Sequence, residues 1–407
     1  MHIIVFNEYY PNPFKPSLTT EIEQFLNDNH KLTLFAMGGY WNPIDPKVRE
    51  LGLDRLIRYL PTTLNSLPRF LGSSTKALLR NPLGRISAAT RIIRSSSSFK
   101  RNLINIFRML QLPLSSPDLC LVHNLNTMRS LTFLRSLYPG VPVALYYHGG
   151  ELPGMSIISN DIAASAFDSA NVVFTNTENS KSQAISRGCP PHKIFAIPVG
   201  FNISEFKPPK QRQYYRQKQL RLLSIGRFSV EKGLIYALNG LVQLIDQGIT
   251  QWQYRLIGNG PQEAELKDFV KNNNITDKVL FLGLLSRKEV LSELEQADAL
   301  LLPSISIGVC QESQACVVQE AMLMKTLVVT TQTGGVPESI APQMQRFCLP
   351  AQDSSAIAEC IKELMSLDQS QWQILGEACR DFAVSNYDIT RLIKKMLECC
   401  FRTESYA

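Results

Sequence analysis

Arg221-Leu-Leu-Ser-Ile225 runs directly into Gly226-Arg227-Phe-Ser-Val-Glu231-Lys232-Gly233 and then into a helical stretch. A short apolar run, a glycine-containing turn and a helix make the opening of an α/β unit. Just upstream, Lys207-Pro-Pro-Lys-Gln-Arg-Gln-Tyr-Tyr-Arg-Gln-Lys218 reads as a linker, with two prolines and a run of long polar side chains. The chain therefore restarts at Arg221. Further strands follow at Tyr254–Ile257, Val279–Leu282, Ala299–Leu302 and Thr326–Thr330, with helical stretches between them.

An earlier series precedes the linker. His2–Phe6, Lys31–Ala36, Leu119–His123, Pro142–Tyr147, Val172–Thr175 and Ile194–Pro198 are short apolar runs of the kind that parallel strands buried on both faces require. Alternation with helices predicts a doubly wound parallel sheet in each half. The expected organisation is α/β: two Rossmann-like domains, 1–205 and 206–385, facing each other across a cleft, and a last helix within 386–407 that packs back towards the first domain. Small ligands favour such interdomain clefts.

Composition narrows the function classes. The 407 residues carry 42 Lys and Arg against 35 Asp and Glu, a formal charge of +7, with 44% apolar residues. This composition is globular rather than disordered, and it excludes a polybasic nucleic-acid arm. No apolar run reaches the length of a membrane-spanning helix, and the first residues lack the pattern of a secretory signal. Nine cysteines, with no C-x-x-C pair, are expected to be reduced in a cytosolic protein. Five histidines show no metal-ligand spacing.

The charge is uneven. Residues 51–110 hold eleven basic side chains and one acid, so the other 347 residues sum to −3. Within this stretch Phe99, Leu103, Ile106, Phe107 and Leu110 recur at helical spacing, with Lys100, Arg101, Asn105 and Arg108 on the other side. The expectation is an amphipathic basic helix docking on an anionic cytoplasmic membrane face. A helix with an ordinary solvated face is the plainer alternative.

The chemistry-bearing residues lie mainly in the second half. Arg227 and Lys232 flank a strand-to-helix turn, an arrangement suited to an anionic diphosphate, although two surface cations give the same pattern. Glu312 and Glu320 stand eight residues apart, about 12 Å of rise if helical, too far for a tight acid/base pair on one bond but suited to opposite ends of an extended ligand. Gly334-Gly335-Val-Pro-Glu338 and Gly258-Asn-Gly260-Pro261 each follow a strand, where glycine lets backbone approach a ligand or form a turn. The first strand is followed by Asn7-Glu-Tyr-Tyr-Pro-Asn-Pro-Phe-Lys-Pro16 rather than G-x-G-x-x-G, which argues against a dinucleotide enzyme.

In order, Gly226-Arg227 with Glu231-Lys232-Gly233, Gly258-Asn-Gly260-Pro261, Phe281-Leu-Gly283, Leu302-Pro303-Ser304, Glu312-x7-Glu320 and Gly334-Gly335-Val-Pro-Glu338 resemble the donor domain of retaining GT-B glycosyltransferases of the family-4 (group 1) type. Tyr10-Pro11, Pro16-Ser17-x-Thr19 and Glu21-Ile22 resemble the amino-terminal signature of members that build colanic-acid-like exopolysaccharides. His148-Gly149-Gly150-Glu151 resembles the family's His-Gly turn, and Gly188-Cys-Pro-Pro-x-Lys193-Ile with Pro198-Val-Gly200-Phe-Asn resembles its interdomain segment.

The resemblance implies transfer of a sugar from a UDP- or GDP-sugar to a glycan or lipid-linked acceptor, with the nucleotide sugar as co-substrate and neither a metal nor a further cofactor. Arg227 and Lys232 are expected on the diphosphate, Glu312 on the donor sugar, Glu320 on the ribose and His148 near the transferred sugar. Gly258, Gly283, Ser313, Gln314 and Ala315 complete the expected donor site. His123 competes with His148, which is preferred because two glycines follow it. Many members have Glu-Gly at the first carboxylate, whereas Glu312-Ser313-Gln314-Ala315 stands here. A weakly active scaffold subunit of a membrane polysaccharide assembly is the alternative, and the complete Arg227, Lys232, Glu312 and Glu320 set speaks against it.

Overall fold

The computed structural model describes residues 1–12, 16–39, 46–72, 74, 82–95, 98–113, 115–149, 158–214, 219–308 and 310–402. Gly150 and Glu151 of the His-Gly turn, and Lys76 and Arg80 of the basic stretch, lie outside the described residues. No helix among the described residues is long and apolar enough to cross a membrane.

The first seven strands are β1 (His2–Tyr9), β2 (Lys31–Gly38), β3 (Ile57–Tyr59), β4 (Leu119–His123), β5 (Val143–Tyr147), β6 (Val172–Thr175) and β7 (Ile194–Ala196). They form one parallel sheet in the order 3-2-1-4-5-6-7. β8 (Leu220–Ile225), β9 (Trp252–Ile257), β10 (Val279–Gly283), β11 (Ala299–Leu302), β12 (Leu327–Thr331) and β13 (Cys348–Leu349) form the second, in the order 10-9-8-11-12-13. The expected pair of Rossmann-like domains is present.

Every residue of β4, β5 and β6 is buried. Because strand side chains alternate, Ile4, Phe6, Val122 and Leu145 fill one core of the first domain while Ile3, Val5, Leu121 and Ala144 fill another. Helices cover both faces, the condition under which parallel strands read as uninterrupted apolar runs. The helix Ile389–Arg402 follows the second domain in sequence but buries Ile389, Ile393, Met396 and Cys400 in the core that holds Ile22 and Phe25 of the first. Phe201 anchors its start, donating its N–H to the Tyr387 carbonyl and accepting the Ile389 N–H.

Two sequence expectations need correction. Of the segment read as a polar linker, 215–218 lie outside the described residues, and the rest is stitched into the second domain. Arg212 is buried and donates to the carbonyls of Leu294, Ala297 and Met324 and to the Thr326 hydroxyl. Those carbonyls end helices that have no further turn to pair with, and a guanidinium supplies the missing donors. Tyr214 stacks on Trp372 beside it.

The basic helix, Phe99–Gln111, has its faces placed differently from the expected split. Asn105 and Arg108 are buried, while Phe99, assigned to the apolar face, is 80% exposed. Arg108 donates to the Pro61 carbonyl at 2.8 Å and to Asn105 Oδ1 at 2.9 Å. Arg85, also buried, donates to the carbonyls of Met109 and Leu112 at the helix's end. These two basic residues thus serve the interior, their charges compensated by carbonyl and amide oxygens. Arg55, Arg58, Arg69, Arg94, Lys100 and Arg101 are exposed.

Candidate functional site

Both sheets reverse direction at their first strand: β1 lies between β2 and β4, and β8 between β9 and β11. Loops leaving the carboxyl ends of neighbouring strands there diverge and open a crevice, the usual binding position of α/β sheets. The expected site residues of the second domain lie at the end of β10 or on the segments that follow β8, β9 and β11.

After β8 the chain makes a tight turn whose backbone is tied to the next loop, with Gly226 N–H on the Ile257 carbonyl and Phe228 N–H on the Asn259 carbonyl. Gly258 has φ 133°, and a Cβ there would strike the Gly226 carbonyl, so glycine is required for these turns to touch. Gly283 also has positive φ but faces open space, so its requirement is conformational. Arg227 is exposed at this turn. A 3-10 turn, Val230–Lys232, then ends at Gly233, whose left-handed φ of 61° packs it against the Pro303 carbonyl. That contact directs Lys232 towards the segment after β11.

There the Lys232 ammonium pairs with the Glu312 carboxylate, which also accepts the Ser304 hydroxyl at 2.9 Å. Burial by itself would raise the Glu312 carboxyl. The Lys232 charge and hydrogen bond, with the Ser304 hydroxyl, outweigh burial and hold it below the ordinary value. For Lys232 burial acts downward, and Glu312 with Glu231 reverses it, leaving the amine above its ordinary value. The pair is thus fully ionised at neutral pH. Gly334 lies over the Glu312 carbonyl, and Gly335 donates its N–H to that oxygen at 2.9 Å.

Glu312 precedes the helix Cys316–Leu323, so the two carboxylates do not share a helix. Glu320 is buried and accepts Arg287 Nη1 at 2.7 Å. Burial raises its carboxyl despite Arg287. Arg287 opens the helix Arg287–Gln296 behind a capping box formed by Ser286 and Glu289. Sequence reading missed this partner, although Ser-x-x-Glu just after β10 was a usable signal. Cys316 stands near both carboxylates, and burial pushes its thiol up to about 12, so it stays protonated.

The first domain meets this site directly. Ser313 Oγ accepts Asn176 Nδ2 at 3.1 Å and lies 2.9 Å from Ser180 Oγ. Gln314 is buried and pairs with the backbone of Val199. Ala315 adopts a left-handed φ of 55° to start its helix. Glu338 accepts the N–H groups of Glu178 and Asn179 at 2.8 and 2.7 Å, the exposed donors at the start of the helix Glu178–Ser186. The expected donor-site segment Ser313–Ala315 thus also joins the domains.

His148 and His123, weighed as competitors, are partners. His148 Nε2 and His123 Nδ1 are 3.1 Å apart, His148 Nδ1 is 3.4 Å from Asn176 Oδ1, and His123 Nε2 is 3.5 Å from Glu21 Oε1. Both rings lie nearly parallel to Tyr146. Asn176 and Ser180 had no sequence signal, since their importance comes from the second domain that meets them.

Residues 207–381 match the family model of glycosyl transferases group 1. The putative colanic acid biosynthesis glycosyltransferase WcaL of Salmonella typhimurium is 24% identical over 63% of this chain and 64% of its own length. The amylovoran biosynthesis glycosyltransferase AmsK of Erwinia amylovora is 32% identical over 44% of each. Matches to these relatives therefore span less than two thirds of their lengths. The crystal structure of Anabaena HepE in complex with UDP superposes with a TM-score of 0.72 at 16% identity, covering 98% of this chain and 99% of that one. Sucrose-phosphate synthase from Thermosynechococcus elongatus gives 0.69 at 17% identity over the whole of both. The fold is GT-B.

Proposed function

We propose that this chain, whose residues 207–381 match group 1 glycosyl transferases, moves a sugar from a nucleoside-diphosphate sugar to a glycan or lipid-linked acceptor with retention of configuration. The observation that carries the reading is the Lys232–Glu312 ion pair at the reversal point of the second sheet, with Arg227 exposed on the turn that presents Lys232. Breaking a glycosyl–phosphate bond builds negative charge on the leaving diphosphate and positive character on the sugar. Lys232 and Arg227 supply fixed cations for the first and Glu312 a carboxylate for the second. Two cations acting on the diphosphate, with no D-x-D sequence in the donor domain, favour catalysis without a divalent metal. Retention fits a front-face transfer in which the departing phosphate takes the acceptor's proton.

The relatives named for colanic acid and amylovoran synthesis favour an exopolysaccharide or glycolipid acceptor, and the UDP complex of HepE favours a uridine donor over a guanosine one. Docking at the cytoplasmic membrane face completes the proposal. Its support is that Leu71, Ile86, Ile93 and Phe99 are exposed apolar residues within the stretch that also exposes Arg69, Arg94, Lys100 and Arg101.

Thermal unfolding with UDP, GDP and a panel of their sugars tests the reading. A ligand present at 100 times its Kd adds about 2.7 kcal/mol to the native state. A true donor is expected to raise Tm and to be hydrolysed or transferred, and Lys232→Ala is expected to lose at least about 100-fold in turnover. Failure of every nucleotide and nucleotide sugar to shift Tm, or full turnover by Lys232→Ala, would overturn it.

A further inference from the structure

Gly334-Gly335-Val-Pro-Glu338 divides its work between the two domains. Its glycines lie on the Glu312 backbone, whereas the Glu338 side chain reaches the first domain, Oε2 accepting the Glu178 N–H at 2.8 Å and Oε1 the Asn179 N–H at 2.7 Å. The turn that carries Glu338 is fixed from behind. Ser339 is buried, its N–H goes to the Val336 carbonyl and its hydroxyl to the Gly335 carbonyl, and its own carbonyl accepts the Tyr387 hydroxyl at 3.0 Å and the Gln319 amide at 3.2 Å. A carboxylate on so rigid a mount is presented to the first domain at little further cost in order.

The receiving side is incomplete without it. Glu178 and Asn179 open the helix Glu178–Ser186, so no carbonyl within the helix can accept their N–H groups. The N-cap residue Thr177 spends its hydroxyl on the Ser180 N–H at 3.1 Å. Glu338 takes the next two donors, one on each oxygen, which a carboxylate can do and a carboxamide cannot. Gly335 lies under the same cap: a Cβ there would stand 2.6 Å from the Thr177 side chain and 2.1 Å from the Ser313 carbonyl. Ser313 meets Asn176 and Ser180 on either side. Every residue from Asn176 to Ser180 is therefore met by Ser313, Gly335 or Glu338, and Asn176 Oδ1 lies 3.4 Å from His148 Nδ1.

We propose that Glu338 is a positioning residue: by completing the cap of the first domain's helix it holds Asn176 and His148 in place relative to Glu312. Glu338 and Glu178 are exposed, so water can replace these bonds and the contact can open and close as ligands come and go. The residues expected on the donor, Arg227, Lys232 and Glu312, all belong to the second domain. Loss of Glu338 should therefore spare donor capture and slow the step that needs both domains. Its effect on turnover rests on the transfer reaction proposed above, whereas the docking contact does not.

Hydrogen exchange resolved to single amides tests the contact directly. The Glu178 and Asn179 amides are expected to exchange at least about 10-fold more slowly in the wild type than in Glu338→Gln, because the carboxylate is their protection. The Ala184 amide, deeper in the same helix, should exchange alike in both. Glu178→Pro removes one donor from the other side and serves if Glu338→Gln fails to fold. Proline suits the first helical position, and Thr177 before it is already extended, with φ −144° and ψ 162°. Each variant is expected to lower kcat at least about 10-fold while leaving KM for the donor within about twofold. The double variant should lose no more than about twofold beyond the worse single one, since both break the same contact. Equal exchange of the two amides in the wild type and Glu338→Gln, or losses that multiply in the double variant, would overturn the proposal. Protection that depends on Glu338 in a protein that turns over no nucleotide sugar would sink the transfer reading and leave the docking contact standing. Wild-type turnover by both variants would do the reverse.

Discussion

The side-chain amide of Gln314 pairs with both backbone groups of Val199, accepting the N–H at 2.6 Å and donating to the carbonyl at 3.0 Å. A primary amide carries its acceptor oxygen and its donor nitrogen side by side, so it can satisfy the N–H and the carbonyl of one residue at once. Gln314→Leu would leave both Val199 groups without a partner at the domain contact. The cost is expected to be about 1–3 kcal/mol, read as a lower Tm, and small-angle scattering should report a larger radius of gyration as the domains part. An unchanged radius and Tm would show that Ser313 and Glu338 suffice to hold the contact.

Gly334 carries a φ of 52° and lies against the Glu312 carbonyl. Adding a methyl group at this position forces the loop after β12 away from Glu312 and disturbs the hydrogen bond from Gly335. Gly334→Ala should therefore lower turnover at least about 10-fold while moving Tm by only a few degrees, because the shift is local to the site. Kinetic constants near those of the wild type would mean the loop yields without moving the carboxylate.

Glu320 gives a pH dependence of definite sign. Burial raises its folded-state carboxyl above the ordinary value, against the pull of Arg287, so the folded protein holds this proton to higher pH than the unfolded chain. Stability from the protonated group is present at low pH and lost as pH rises through the folded value, which lies above 4.5. Glu320→Gln has no such titration. The Tm of the variant relative to the wild type should rise from pH 5 to pH 8, and a gap constant with pH would refute the assignment.

The exposed residues at the start of the helix Phe99–Gln111 set the expected strength of membrane docking. Each basic side chain near an anionic leaflet contributes about 1 kcal/mol, so Lys100→Gln with Arg101→Gln should weaken co-sedimentation with phosphatidylserine vesicles about 30-fold. Phe99→Ser should weaken it further, and salt should abolish it. Equal binding to neutral vesicles would exclude the electrostatic account.

Much of the fold was legible because parallel strands buried on both faces are contiguous apolar runs. Leu119–His123, Val172–Thr175 and Ala299–Leu302 were read with the bounds the structure gives. β3 and β13 were missed, since three and two residues carry too little pattern. Lys232 and Glu312 were singled out by their places after strands, but their pairing was not foreseen, because it depends on how the β8 and β11 loops meet. The same holds more strongly for Glu21, His123, Asn176 and Gln314, whose partners come from other segments or the other domain. Arg85, Arg108 and Arg212 were read as part of a basic stretch or a polar linker, because the sequence does not distinguish a solvated guanidinium from a buried one that donates to carbonyls.

The helix Ile389–Arg402 is made after the whole second sheet and yet fills a core begun by the first strands. At synthesis rates of about 5–20 residues per second, roughly 10–40 s separate the emergence of the first domain from that of its final wall. Through that interval the part of the helix Pro16–Asn27 that this later helix covers stands open. A nascent chain of this protein therefore has a defined window in which chaperones or proteases meet its amino-terminal half, and it closes only when the carboxyl-terminal helix docks.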